Sequence, residues 1–461
     1  MKINRRQIIA SLGAGLMAPR FAVSQASEDG FVVLTAEKSE MSLLGLKSPK
    51  TPVWRFDKEQ PIAVLRAKQG QEFKVRLINK LDQELWLHWF GVRGKAEAMT
   101  VVAQPNAETP VEIIFTPPDA GTFWFGPLLN ASQQRDMGLY GMLIVEETVP
   151  QDFVEVPLIF DDWKIDDAGK MVGKFNELQD AIGEGRMGNW FTLNGAFKNH
   201  IKIPSHKPVR LRVLNTANVR SMNVLFKGAD IFVMAMDGQP VPLKLLGQES
   251  LKLAPGQRAD LLLPEIKDQI VVALDLFEDV AEVGFLEPIG VAVPHELPDN
   301  FTLPANPLSP LGELASSHAV TVTIAGGAKG GLKSAMVGTE MLDTRALLQK
   351  GLAWAFNGVA GPGGPSLFEV KKGETVVLTV DNTTSFPQAV HIHGHVWQVI
   401  EAEGQPLEAQ PWRDTAVVPG LSKMKLAFVA DNVGLWALQS LAAERADAGL
   451  LGSFTVSDVT P

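Results

Sequence analysis

The pattern His391-Ile-His393-Gly-His395 places three imidazoles within five residues. On a β-strand side chains alternate with period two, so His391 and His393 project from the same face. Two rings placed that way can reach one metal ion or two adjacent ones. The competing use is structural, as hydrogen-bonded core histidines of a strand and its turn. Other chemistries are excluded by composition. The chain has no cysteine. There is therefore no disulfide, thiolate zinc or iron–sulfur site, cysteine nucleophile or blue-copper thiolate. No phosphate loop, Gly-x-Ser-x-Gly elbow or His-Glu-x-x-His motif is present. Asp161-Asp162 and Asp166-Asp167 form a small acidic cluster, expected to be a solvated loop rather than a calcium site. His200, His206, His295 and His318 stand in loop-like contexts and are expected at the surface.

The elements that must position these residues are strands. The 461 residues are enough for about two to four domains. The 46% hydrophobic content supplies their cores. A net charge of −10 argues against nucleic acid as a partner. Short Val/Ile/Leu-rich runs recur between Gly, Pro, Asn and Asp: 72–78, 111–115, 142–146, 209–214, 260–263, 319–324, 375–380 and 423–429. Such spacing predicts stacked β-sandwiches. Helical periodicity is sparse, best at 176–182 and 344–350. The Pro-rich stretch 294–317 reads as an inter-domain linker. An internal repeat also runs through the chain. "AKQGQEFKVRLINKL" (67–81), "KPVRLRVLN" (207–215) and "KKGETVVLTVDN" (371–382) each carry a basic residue, an apolar strand and then Asn. Three recurrences imply three similar domains.

The first 26 residues read as an address. Lys2, Arg5 and Arg6 form a positive n-region, followed by a short apolar stretch from Ile8 to Met17. Ser24 and Ala26 are small residues at −3 and −1 of a cleavage point. The paired arginines resemble a twin-arginine export signal. Removing residues 1–26 takes away four positive charges and leaves about −14. No later stretch is long and apolar enough for a membrane span, so a soluble periplasmic protein is expected.

Along most of the remaining length the chain resembles the multicopper oxidase family. Gly121-Thr-Phe-Trp-Phe125 with Gly138-Leu-Tyr-Gly-Met-Leu-Ile-Val145 is similar to the first domain of that family. Asn194-Gly195, Val209–Asn215, Asp237-Gly238 and Leu253–Asp260 resemble the second. His391–His395, Trp412-Arg-Asp-Thr415, Val418-Pro-Gly420 and Asp431–Trp436 resemble the third. The resemblance implies an all-β fold of three consecutive cupredoxin-like Greek-key β-sandwich domains. Their expected spans are 27–150, 151–295 and 318–461, with 296–317 as linker. By themselves Pro255-Gly256 reads as a tight turn. Trp412 reads as a large buried ring beside the Arg413–Asp414 charge pair.

The resemblance also implies a ligand set of ten histidines and one cysteine for four coppers, in four short motifs. The first motif here is His88-Trp89-Phe90, keeping one ligand. The second is Trp124-Phe125-Gly126-Pro127-Leu128, keeping none. The third is Gln388-Ala-Val-His391-Ile-His393, keeping two. The fourth is Gln439-Ser440-Leu441-Ala-Ala-Glu-Arg445, keeping none, with Leu450 at the usual axial position. Ser440 stands where the thiolate would be, and a neutral hydroxyl is a poor ligand for soft copper. Four-electron oxygen reduction is therefore not expected. In the family, the positions of His88 and His391 hold a single mononuclear copper, and His393 serves the neighbouring pair. His88, His391 and His393 are thus the candidate metal residues, and no catalytic residue is assigned.

An exported, ligand-depleted chain of this kind resembles a copper-free branch of the family associated with cell division. The expected function is that of a non-catalytic structural or interaction protein of the cell envelope, in division or stress protection. No cofactor is expected. The alternative is a mononuclear copper protein with residual oxidoreductase activity, holding one copper ion. Partners are expected among cell-envelope or divisome proteins.

Overall fold

The computed structural model describes residues 29–293, 301–329, 331–408 and 410–458. The stretch expected to be an export signal, 1–26, and His295 lie outside them. About 48% of the chain is strand and 6% helix, so the all-β expectation holds. Among the described residues the strands pair into three successive pairs of large sheets, with one small two-stranded sheet in the third unit.

The internal repeat has a structural meaning. Phe73–Asn79, Val209–Asn215 and Thr375–Asn382 hold the same place in their sheets. Each pairs in parallel with the opening strand of its unit (Val32–Met41, Val154–Trp163 and His318–Gly326). Each pairs antiparallel with a later one (Val111–Phe115, Arg258–Leu263 and Ser422–Val429). The terminal asparagine closes the strand identically in all three. Asn79 Nδ2 donates to the carbonyls of Gln83 and Ala103, Asn215 Nδ2 to Arg220 and Leu253, and Asn382 Nδ2 to Phe386 and Val418. Each Oδ1 accepts the amide two residues on. A buried side-chain amide thus satisfies both donors and acceptors of an irregular turn, which is why asparagine recurs there.

Phe73–Asn79 and Thr375–Asn382 alternate buried and half-buried residues, the period of a strand covering one core face. Val209–Asn215 is buried throughout. It accommodates Arg210 and Arg212 because Asp260, Glu147 and Glu155 pair with them inside. Buried apolar residues of the first and third units form one continuous cluster, while most of the second unit packs around its own. A smaller cluster, including Phe90, Trp124, Leu214 and Leu441, lies where all three units meet. The expected helices are present as Leu178–Ile182 and Thr344–Gln349.

The Pro-rich stretch is tied down where it is described. Buried Asn306 bonds the amide and carbonyl of Ala120, the carbonyl of Gly238 and the Gln239 side chain, joining the first two units. Asp161 and Asp162 do not form a solvated loop. Both are buried on Val154–Trp163. The Tyr140 hydroxyl donates to Asp161 at 2.5 Å, and Arg220 pairs with Asp162 at 2.6 Å. Two adjacent aspartates look like loop chemistry until partners from other segments neutralise them. Among the described residues no helix is long and apolar enough to cross a membrane.

Candidate functional site

His88 lies on the strand Leu85–Phe90 of the first unit, and His391 on Gln388–Ile392 of the third. Each faces a threonine on a neighbouring antiparallel strand, Thr100 and Thr415 respectively. That register fixes both rings. His88 Nδ1 is 2.7 Å from Thr100 Oγ1, and His391 Nδ1 is 3.0 Å from Thr415 Oγ1. His393 follows the same strand face. Its ring centroid is 4.1 Å from that of His88 and 5.0 Å from that of His391. The three candidate residues therefore meet between the first and third units. His395 does not join them. Its Nδ1 contacts the His393 carbonyl, and its ring packs among Phe428, Trp436 and Phe454.

A buried ion pair supports this trio from behind. Arg258 forks onto Asp414 at 3.0 and 2.6 Å, and both are fully buried. Asp414 Oδ1 accepts from Thr415 at 2.8 Å and lies 3.3 Å from His391 Nδ1. Asp414 thus pairs with an arginine of the second unit, not with its neighbour Arg413, and Trp412 is only half-buried. Two sequence motifs that read separately are one contact. Gly91, at φ +82°, leaves room for it. A Cβ there would lie 2.4 Å from the Arg258 guanidinium and 2.5 Å from Asp414. Thr100 carries no sequence signal of its own, and the motifs that hold Thr415 and Arg258 do not say what these residues touch; register and tertiary contact expose it.

The remaining aligned positions carry apolar or neutral polar side chains, except for the cationic Arg445. Phe90 stacks on Trp124 with ring centroids 3.8 Å apart and planes 5° from parallel. It also lies 5.9 Å from the His391 ring and 5.8 Å from the His393 ring. Leu441 packs in the same cluster. Gly256, at φ +72°, completes the Pro255-Gly256 turn against Leu441 and Trp124, where a Cβ would lie 2.8 Å from Leu441. Ser440 Oγ donates to Gln388 Oε1 at 3.3 Å, both side chains fully buried. Arg445 bonds the Pro387 carbonyl at 2.7 Å and lies over the rings of Phe386 and Trp354.

Burial sets the electrostatics. It pushes the imidazoles of His88 and His393 well below their ordinary pKa, and the neighbouring imidazoles add to the shift. Burial also opposes ionisation of Asp414, but Arg258 and His391 outweigh it and hold the carboxyl below its usual range. A cavity of about 600 Å³ opens beside the trio, lined by His88, His393, Trp86, Leu128 and Trp436 among others. No carboxylate, lysine or arginine lines it.

The residues present do not fit a four-copper centre: the chain has no thiolate, and the positions that the resemblance gives to copper-binding imidazoles carry Phe90, Gly126, Leu128, Gln388, Gln439, Leu441 and Arg445 beside the three histidines. Among the described residues no group of three or more His, Cys, Asp or Glu side chains is arranged to hold a metal ion. The Nε2 atoms of His391 and His393 are buried without a hydrogen-bond partner.

Three multicopper oxidase family models match residues 36–149, 155–270 and 339–459. The chain is 25% identical to the multicopper oxidase MmcO of Mycobacterium tuberculosis, over 93% of this chain and 88% of that one. It is 24% identical to the cell division protein FtsP of Escherichia coli over the full length of both. It is 25% identical to FtsP of Sodalis glossinidius over 99% of each. The crystal structure of a multi-copper oxidase from Pseudomonas thermotolerans superposes with a TM-score of 0.79. It covers 93% of this chain and 99% of that one at 24% identity, a likeness of fold.

Proposed function

From the premise that the chain belongs to the multicopper oxidase family, we propose that it is a non-catalytic structural or interaction protein of the cell envelope, acting in division or stress protection. The observation that carries the reading is the Phe90–Trp124 stack with Leu441. At Phe90 and Leu441, two positions where the resemblance implies metal-binding imidazoles, this chain packs hydrocarbon. Hydrocarbon at those positions stabilises the junction of three units through burial and dispersion. Ser440 donates to Gln388 Oε1 where electron entry would need a thiolate. The full-length likeness to FtsP supports a division role, and the twin-arginine-like start supports export to the periplasm.

Oxygen uptake and septation test this reading together. Copper-loaded protein should consume no oxygen above buffer with phenolic or cuprous substrates. A deletion strain of the host should divide poorly under envelope stress, with rescue by the wild-type gene. Sustained oxygen turnover, or normal septation under stress, would contradict the proposal.

A second reading rests on the unpartnered Nε2 atoms of His391 and His393. One copper ion could be held by these imidazoles and water, supplying a single redox-active centre when bound. The chain's own residues would then act as orienters: Thr415 and Asp414 fix the His391 ring, and Thr100 fixes His88.

A further inference from the structure

A second cavity, of about 340 Å³, lies at another contact of the three units. The short helices Ala131–Gln134, Leu178–Ile182 and Ala443–Asp447 meet around it. Its walls include Leu129, Leu178 and Pro362, and its polar lining includes Ser132, Glu444 and Asp447. Glu444 is 3% exposed. Its Oε1 accepts from Asn218 at 2.9 Å, while Oε2 has no partner. Asp447 differs, for both its oxygens accept backbone amides, of Ala131 at 3.2 Å and Ser132 at 2.7 Å.

The charge balance behind the cavity is also unequal. Arg186 pairs with Asp136, and Arg220 with Asp162. That leaves Asp161, Glu444 and Asp447 with two buried guanidiniums in reach, Arg135 and, beside Glu444, Arg445, whose hydrogen bonds go to the carbonyls of Pro387 and Gly183. Arg135 spends its hydrogen bonds on Asn218 and the Leu441 carbonyl, and makes none to a carboxylate. A buried carboxylate oxygen with neither hydrogen bond nor ion pair costs several kcal/mol in general, and a cation placed on it removes that cost. No third His, Cys, Asp or Glu joins Glu444 and Asp447 in a metal-holding arrangement among the described residues. The apolar walls suit a hydrocarbon stem behind the charge.

We propose that this cavity binds an organic cation, a primary ammonium or guanidinium on an aliphatic stem, with its charge on Glu444 Oε2. The stem lies against Leu129, Leu178 and Pro362. The same chemistry is offered by a free amine and by a lysine or arginine side chain of a partner protein. Exposed Lys350 lines the cavity too and competes for the same carboxylate.

Calorimetric titration of the full chain tests this, with agmatine as the free amine and an acetylated, amidated arginine tripeptide as the side-chain source. Agmatine or the tripeptide should bind at one site, and 1-butanol should not. Binding of agmatine alone assigns a free amine, and binding of the tripeptide alone assigns a partner side chain. Glu444→Gln keeps the acceptor for Asn218 and should weaken binding about tenfold or more. Lys350→Ala, at an exposed position, should tighten it. No binding of either probe would overturn the proposal. So would binding unchanged by Glu444→Gln, weakening by Lys350→Ala, or displacement of agmatine by calcium at equal concentration.

Discussion

At the scale of single residues, His88, His393 and His395 behave as buried groups that disfavour the proton. His88 and His393 are held well below the ordinary imidazole value, chiefly by burial, and burial lowers His395 to about 4. The sign follows directly. The folded chain disfavours the proton while the unfolded chain takes it up at the ordinary value near 6.5. Their contribution to stability is therefore complete above about pH 6.5, and declines as pH falls from there toward about 4. Urea midpoints should fall between about pH 7.5 and about pH 5. A midpoint unchanged across that range would show that these rings gain protons without strain on the fold. Asp414 and Arg258 form the other residue-scale test. Arg258→Met leaves a buried carboxylate unpaired and should cost about 3–5 kcal/mol by denaturant unfolding. Adding Asp414→Leu should recover part of that loss, because the uncompensated charge is then gone. The His391/His393 pair was legible from spacing alone. The threonines that orient His88 and His391, and the pairing of Arg258 with Asp414, were not, since no local pattern says which strand will lie beside which.

At the scale of elements, the repeat and the packed stack carry the argument. The three Asn-terminated strands were visible as sequence repeats, and the structure gives their common cause in one turn design. Asn382→Ala removes the donor for two or more buried carbonyls and should cost about 1–3 kcal/mol. Asn79→Ala and Asn215→Ala should cost similar amounts. A neutral result at all three would break the link between repeat and turn. Phe90→Ala should cost about 3–5 kcal/mol, because its stack with Trp124 is fully buried and the cavity left cannot collapse against two other units. Thermal unfolding of the two variant sets reads both predictions. Alternation made strands such as Thr375–Asn382 easy to place. It failed at Asp161-Asp162, where a polar pair that looked solvated is buried, with a hydrogen bond from Tyr140 to Asp161 and an ion pair from Arg220 to Asp162. Element-level reading succeeds when the local pattern matches the final environment, and fails when tertiary partners change it.

At the scale of the whole molecule, three sandwiches of one family enclose a junction filled by side chains. The first and third units share a continuous apolar cluster, and Asn306 ties the first to the second. The fold and family were legible because motifs occurred in order along most of the chain. The central claim is that this junction is a packed interface and not a copper reactor. Metal analysis of purified protein, saturated with copper and then desalted, tests it most directly. A packed junction should retain far less than one copper per chain, show no blue absorption and keep its unfolding midpoint when copper is added. Close to one copper per chain, lost in a His391→Ala variant that keeps the fold, would contradict it in favour of a mononuclear site.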